Sequence, residues 1–98
     1  MNIQYKTKSI KRVCTDAEEA RKKLGPPMAE KISQRIEEIY SADSVEMMIK
    51  YGIGRCHGLK GGRKGQYAVD LVHPRRLVFE KIGNQIQVVK IVEIIDYH

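Results

Sequence analysis

The stretch QYAVDLVHPRRLVFE, residues 66–80, decides the fold. Tyr67, Val69 and Leu71 alternate with Ala68, Asp70 and Val72, which is the two-residue period of a strand. Pro74 interrupts it, because proline has no N–H to give to a ladder. Leu77, Val78 and Phe79 resume as a second strand, and the segment KIGN, 81–84, turns the chain. Residues 85–95 form a long run rich in valine and isoleucine, apolar on both faces, as expected of a central strand. RCHGLKG, 55–61, offers a further strand ahead of the glycine loop. Neighbouring strands joined by short turns pair antiparallel.

Before this block the period is helical. NIQYK, 2–6, reads as a short opening strand. Thr15 and Glu18 have the spacing of a capping box, followed by Ala17, Ala20 and Leu24 on one helical face. Gly25 suits a helix end, and Pro26-Pro27 a new start. Met28, Ile32, Ile36, Ile39 and Tyr40 give a second apolar stripe. Asp43 or Ser44 caps a short third helix with Val45, Met48 and Ile49 inward, and Gly52 and Gly54 end it. Helices first and adjacent strands afterwards predict an α+β fold, with N-terminal helices packed on one face of a mostly antiparallel sheet.

The 98 residues, 42% hydrophobic and 31% charged, make one domain, 1–98, with one modest core. No apolar run approaches the roughly 20 residues that span a bilayer. The first residues lack the apolar core of a signal peptide, so the expected location is the cytoplasm. Cys14 and Cys56 fit no C-x-x-C and no zinc spacing, and read as reduced, buried thiols.

Charge is zoned. Residues 1–24 carry net +4, residues 25–54 net −2, residues 55–76 net +5 and residues 77–98 net −1, for a total of +6. A basic protein of this size suits phosphate backbones or an acidic partner, and nothing in it resembles a membrane anchor. The +5 segment holds Arg55, Lys60, Arg63, Lys64, Arg75 and Arg76 against Asp70, with His57 and His73 among them. His57 and Lys60 form H-x-x-K, a titratable imidazole and a compact cation that both serve a phosphoester. KGGRKG, 60–65, lacks the pattern of a nucleotide-hydrolysing P-loop, so Arg63 and Lys64 read as phosphate contacts at a turn. Arg75 and Arg76 alternate to opposite faces, and Arg76 shares its face with Val78 and Glu80. Asp96, Tyr97 and His98 place three polar groups at the end of the most apolar strand.

The combination of H-x-L-K-G (57–61), G-Q-Y-A-V (65–69), an arginine before an apolar strand and a terminal D-Y-H resembles the plasmid-maintenance killer proteins, the HigB-type toxins of the RelE/ParE toxin superfamily. The similarity covers the second half of the chain closely and the first half in layout. It implies the RelE-like toxin fold and a ribonuclease without metal or other cofactor that cuts mRNA in the ribosomal A site. It also implies a helix-turn-helix antitoxin of HigA type as partner. By position, His57, Lys60, Arg76, Asp96, Tyr97 and His98 match the residues such toxins place around the scissile phosphate. Two departures stand out: Arg75 replaces a frequent aromatic residue, and Gly62 a frequent aspartate.

Cleavage without metal requires the 2′-OH to attack the neighbouring phosphorus. A base, an acid and charge stabilisation then come from the protein. The expected roles are Arg76 and Lys60 on the phosphate, Asp96 or His57 as base, His98 as acid and Tyr97 as positioning or stacking group. Lys6, Lys8, Lys11, Arg12, Arg55, Arg63, Lys64 and Arg75 are the candidates for further RNA contact, ribosomal RNA included. Two rivals stay open: a same-fold toxin with another target such as DNA gyrase, and a non-catalytic RNA-binding module.

Overall fold

The computed structural model describes residues 1–96. Its elements run β1 (Asn2–Tyr5), α1 (Lys8–Thr15), α2 (Ala17–Leu24), α3 (Pro26–Ser41), α4 (Val45–Lys50), β2 (His57–Gly58), β3 (Gln66–Asp70), β4 (Arg75–Lys81) and β5 (Val88–Asp96). Single 3₁₀ turns at Ile53–Arg55 and Gly61–Arg63 flank β2. The sheet order is β1-β5-β4-β3-β2. The four later strands form the expected antiparallel meander, and β1 adds in parallel to β5. The fold is therefore α+β with a mixed five-stranded sheet, and β5 lies inside it, between β1 and β4.

The helical half departs from the sequence reading at its first helix and at the inward positions given to Tyr40 and Ile49. Lys8–Thr15 is a helix of its own, capped by Thr7, whose side chain accepts from the Ile10 N–H at 3.1 Å. Ile10, Val13 and Cys14 form its buried face. Thr15 therefore ends a helix instead of starting one, and its hydroxyl donates to the Lys11 carbonyl at 2.7 Å. Asp16 is the cap of α2, accepting from the Glu18 and Glu19 N–H groups. In α3, Met28, Ala29, Ile32 and Ile39 are buried, and Tyr40 stands at the surface. Ser44 caps α4, which buries Val45 and Met48 and leaves Ile49 exposed. The Met1 ammonium closes the end of α3, donating to the carbonyls of Ile39, Tyr40 and Ala42 at 3.1, 2.5 and 2.8 Å. A cation there complements the helix dipole.

The core lies between the helices and one face of the sheet. Val69, Leu77, Phe79, Val89 and Ile91 point into it and are inaccessible to solvent. Phe79 stacks on Tyr67, its cross-strand partner, at 5.9 Å between centroids. Cys14 and Cys56 are unpaired and buried, and burial pushes their thiols up to about 12 and about 11. On the opposite face Ala68, Val78 and Val92 are buried outside that cluster. There Arg63–Glu93, Lys90–Glu80 and Gln66–Glu80 contacts run between strands and loop. This second face carries the site.

Candidate active site

Register decides which side chains meet. His57 lies opposite Ala68, Ala68 opposite Val78, and Asp70 opposite Arg76. Strand alternation then puts His57, Asp70 and Arg76 on the face away from the helices. His57, Lys60, Arg63 and Arg76 line one cavity of about 440 Å³, with Leu59 and Ile95 as its apolar wall. A second cavity of about 200 Å³ adjoins it through Arg76, lined also by Arg55, Asp70, His73 and Arg75.

The turn before β2 sets the histidine. Gly52 and Gly54 hold φ of 64° and 59°, and Arg55 follows at 53°. A left-handed arginine is sterically costly, and such outliers gather at functional sites. A Cβ on Gly54 would lie 3.0 Å from the Arg35 side chain and 3.2 Å from Val69 Cβ, so only glycine fits there. Arg35 in turn donates from Nε to the Asp70 carbonyl at 2.6 Å and pairs with Glu38 at 2.8 Å. The turn is thus seated against a helix and a strand end.

His57 Nδ1 lies 2.8 Å from the Arg55 carbonyl oxygen. A carbonyl only accepts, so Nδ1 carries the proton. In the neutral ring Nε2 is then the bare acceptor, and Arg76 Nη1 donates to it at 3.3 Å. Arg76 Nε faces Asp70 Oδ1 at 3.3 Å, and Asp70 Oδ2 holds Arg55 Nε at 2.7 Å. The cavity therefore offers a base nitrogen, a guanidinium and the Lys60 ammonium together. That set can take a proton and stabilise charge on a phosphoryl group.

The structure brings His57, Lys60 and Arg76 together and does not bring Asp96 to them. Asp96 pairs in register with Arg75, Oδ1 to Nε at 3.1 Å, and lies outside the His57 cavity. Tyr97 and His98 lie outside the described residues. Arg63 leans back over the sheet onto Gln66 and Glu93, at 2.8 and 3.2 Å, while Lys64 is exposed. Lys6, Lys8, Lys11 and Arg12 are exposed around β1 and α1. They belong to the sheet edge opposite β2, so the two basic zones form separate patches. Sequence reasoning missed Asp70 as a site residue. Its signal was present: it is the one acid in the +5 segment.

The fold matches solved toxin structures over its full length. Against the YoeB–YefM complex from Staphylococcus aureus the TM-score is 0.65 at 22% identity, covering 100% of this chain and 97% of that one. Against a YoeB/ParE toxin from Agrobacterium tumefaciens it is 0.66 at 17% identity, covering 100% of both. The YoeB dimer from Staphylococcus aureus aligns at 0.63 and 22% identity, again over 100% and 97% of the two chains. No family model matches the chain, and no curated protein matches it in sequence. The class defined by the architecture is the YoeB/ParE-type toxin fold, with helices on one face of a mixed five-stranded sheet. At these identities the likeness is one of fold.

Proposed function

We propose that this chain is the toxin of a toxin–antitoxin pair, a ribosome-dependent endoribonuclease of HigB type that acts in the cytoplasm. The observation that carries the reading is His57, with Nδ1 on the Arg55 carbonyl and Nε2 set 3.3 Å from Arg76, in a cavity that Lys60 also lines. The 2′-OH of the mRNA enters beside Nε2 and gives up its proton as its oxygen attacks phosphorus. Arg76 and Lys60 take the charge that grows on the phosphoryl oxygens. The 5′-oxygen leaves and takes a proton, a role the sequence reserves for His98, with Tyr97 to stack or position. Asp96 pairs with Arg75 at the strand end, which favours His57 over Asp96 as the base. The fold likeness to toxins supports the toxin role, and the H-x-L-K-G and D-Y-H motifs support the HigB subtype. Solved relatives pair with YefM, which supports an antitoxin partner here.

The test is a reconstituted translation reaction on defined mRNA, mapped by primer extension. Wild type is expected to cut within the A-site codon, and Arg76→Ala to cut about 10²-fold more slowly or less. Intact mRNA with wild-type protein overturns the ribonuclease reading. A supercoiling assay on DNA gyrase run beside it reports the rival target.

A further inference from the structure

Four groups in the site close a ring. The Arg55 carbonyl accepts from His57 Nδ1 at 2.8 Å, His57 Nε2 meets Arg76 Nη1 at 3.3 Å, Arg76 Nε meets Asp70 Oδ1 at 3.3 Å, and Asp70 Oδ2 meets Arg55 Nε at 2.7 Å. Two of the four, Arg55 and Asp70, line the neighbouring cavity and not the one that holds His57 and Lys60. Asp70 Oδ1 is buried and makes no hydrogen bond among the described residues, so Arg76 Nε is the charge that faces it. A buried carboxylate oxygen left this way is costly, and it draws the guanidinium toward itself. Arg55, at φ 53°, meets both ring neighbours, with its carbonyl on the imidazole and its side chain on the carboxylate.

We infer that Asp70, anchored by Arg55, is a positioning residue that fixes the plane of Arg76 and through it the Nδ1–H tautomer of His57. A guanidinium is a planar fork with more than one usable edge. Asp70 takes the Nε edge, which leaves the Nη nitrogens directed at His57 and the cavity. Without the carboxylate, Arg55 and Arg76 lose the anion they share, and the Nε edge of Arg76 loses the charge that faces it. Arg76 then stops donating to Nε2, and the imidazole keeps the Arg55 carbonyl on Nδ1 but loses the second contact that disfavours a proton on Nε2. The catalytic consequence rests on the ribonuclease reading above, but the tautomer does not.

The experiment has two arms on the full chain. Long-range ¹H–¹⁵N spectra of the imidazoles, with His57 assigned through His57→Gln, read the tautomer. Wild type is expected to show one protonated Nδ1 and one bare Nε2, and Asp70→Asn and Asp70→Ala a mixture containing Nε2–H. Single-turnover cleavage on programmed ribosomes forms the second arm. Both variants are expected to lose about tenfold to a hundredfold in maximal rate, with the half-saturating ribosome concentration changed by less than about threefold. Asp70→Glu is expected to restore part of the rate. An unchanged tautomer in a folded Asp70 variant overturns the inference, as does a loss confined to half-saturation. Arg55→Gly covers the case in which Asp70 variants do not fold. Glycine adopts the same φ without strain and keeps the carbonyl, so an unchanged tautomer there also overturns it. If wild type leaves mRNA intact, the ribonuclease reading falls and the spectra still decide the ring.

Discussion

At the scale of single residues, the arrangement depends on an arginine that is used on two edges. Arg76 Nε meets Asp70 while Nη1 meets His57. Lysine carries the same charge on one nitrogen and cannot span both. Arg76→Lys is therefore expected to lose at least about tenfold in single-turnover cleavage, close to the loss in Arg76→Ala. A lysine variant within threefold of wild type would show that charge alone suffices. Much of this site was legible in sequence, because His57, Lys60 and Arg76 each sit on a strand or next to one, where period and register fix direction. Asp70 stood out only as the one acid of the +5 segment; its role did not, because it lies in the cross-strand pairing Asp70↔Arg76 and in a left-handed Arg55, and neither leaves a periodic trace. The choice between Asp96 and His57 as base was open in the sequence for the matching reason. The place of Asp96 at the end of the strand was read correctly, but its pairing with Arg75 is a fact of register.

At the scale of elements, the strands were easier to read than the helix starts. Tyr67, Val69 and Leu71 announce β3 by alternation, and Pro74 separates it from β4. Residues 83–87 are exposed and β5 begins at Val88, so the apolar run overstates the strand at its start. The helix α1 went unread because its exposed positions are mostly cations and its buried face is only Ile10, Val13 and Cys14. Thr15 and Asp16 are both good caps, and the choice between them turns on whether a helix already occupies Thr15. This can be checked by substitution. Asp16→Ala is expected to cost about 1 kcal/mol by urea unfolding, whereas Thr15→Ala, which removes only a bond back to Lys11, is expected to cost less than half of that. Equal costs would contradict the assignment of the cap. The turn before β2 responds to a different constraint. Gly54→Ala places a Cβ against Arg35 and Val69 at positive φ, and is expected to destabilise by about 1–3 kcal/mol. Because the same turn carries Arg55, cleavage should fall further than stability alone accounts for.

At the scale of the whole molecule, charge and proton binding are set by how the sheet is ordered and filled. Net charge was readable at once, but whether the two basic zones share a face was not. The parallel addition of β1 beside β5 sends the N-terminal cations to the edge opposite His57. Filling the helix-facing core also gives the fold a one-sided response to alkali. Burial raises the thiol of Cys14 to about 12 and of Cys56 to about 11, from an ordinary value of 9.0. Burial likewise raises the Tyr5 phenol above 10.0, helped by Cys14. Lys81, hydrogen-bonded to Glu46 and near the Tyr67 ring, is raised above 10.5. In every case the folded chain holds its proton more tightly than the unfolded chain. The stability these groups contribute is thus complete below about pH 9 and is lost as pH rises toward 11–12. Each thiol accounts for at most about 1.4 kcal/mol per pH unit across that window. Glu46, lowered by the same lysine, acts at the other end, where its contribution is lost as pH falls below 4.5. Urea midpoints measured at pH 8 and pH 10.5 are expected to drop for wild type. In Cys14→Ala with Cys56→Ala the drop should be much smaller, although that variant starts from a lower midpoint because two buried side chains are cut back. An equal drop in both proteins would mean that the thiols ionise as readily folded as unfolded, and that the core around α1 and β2 admits water.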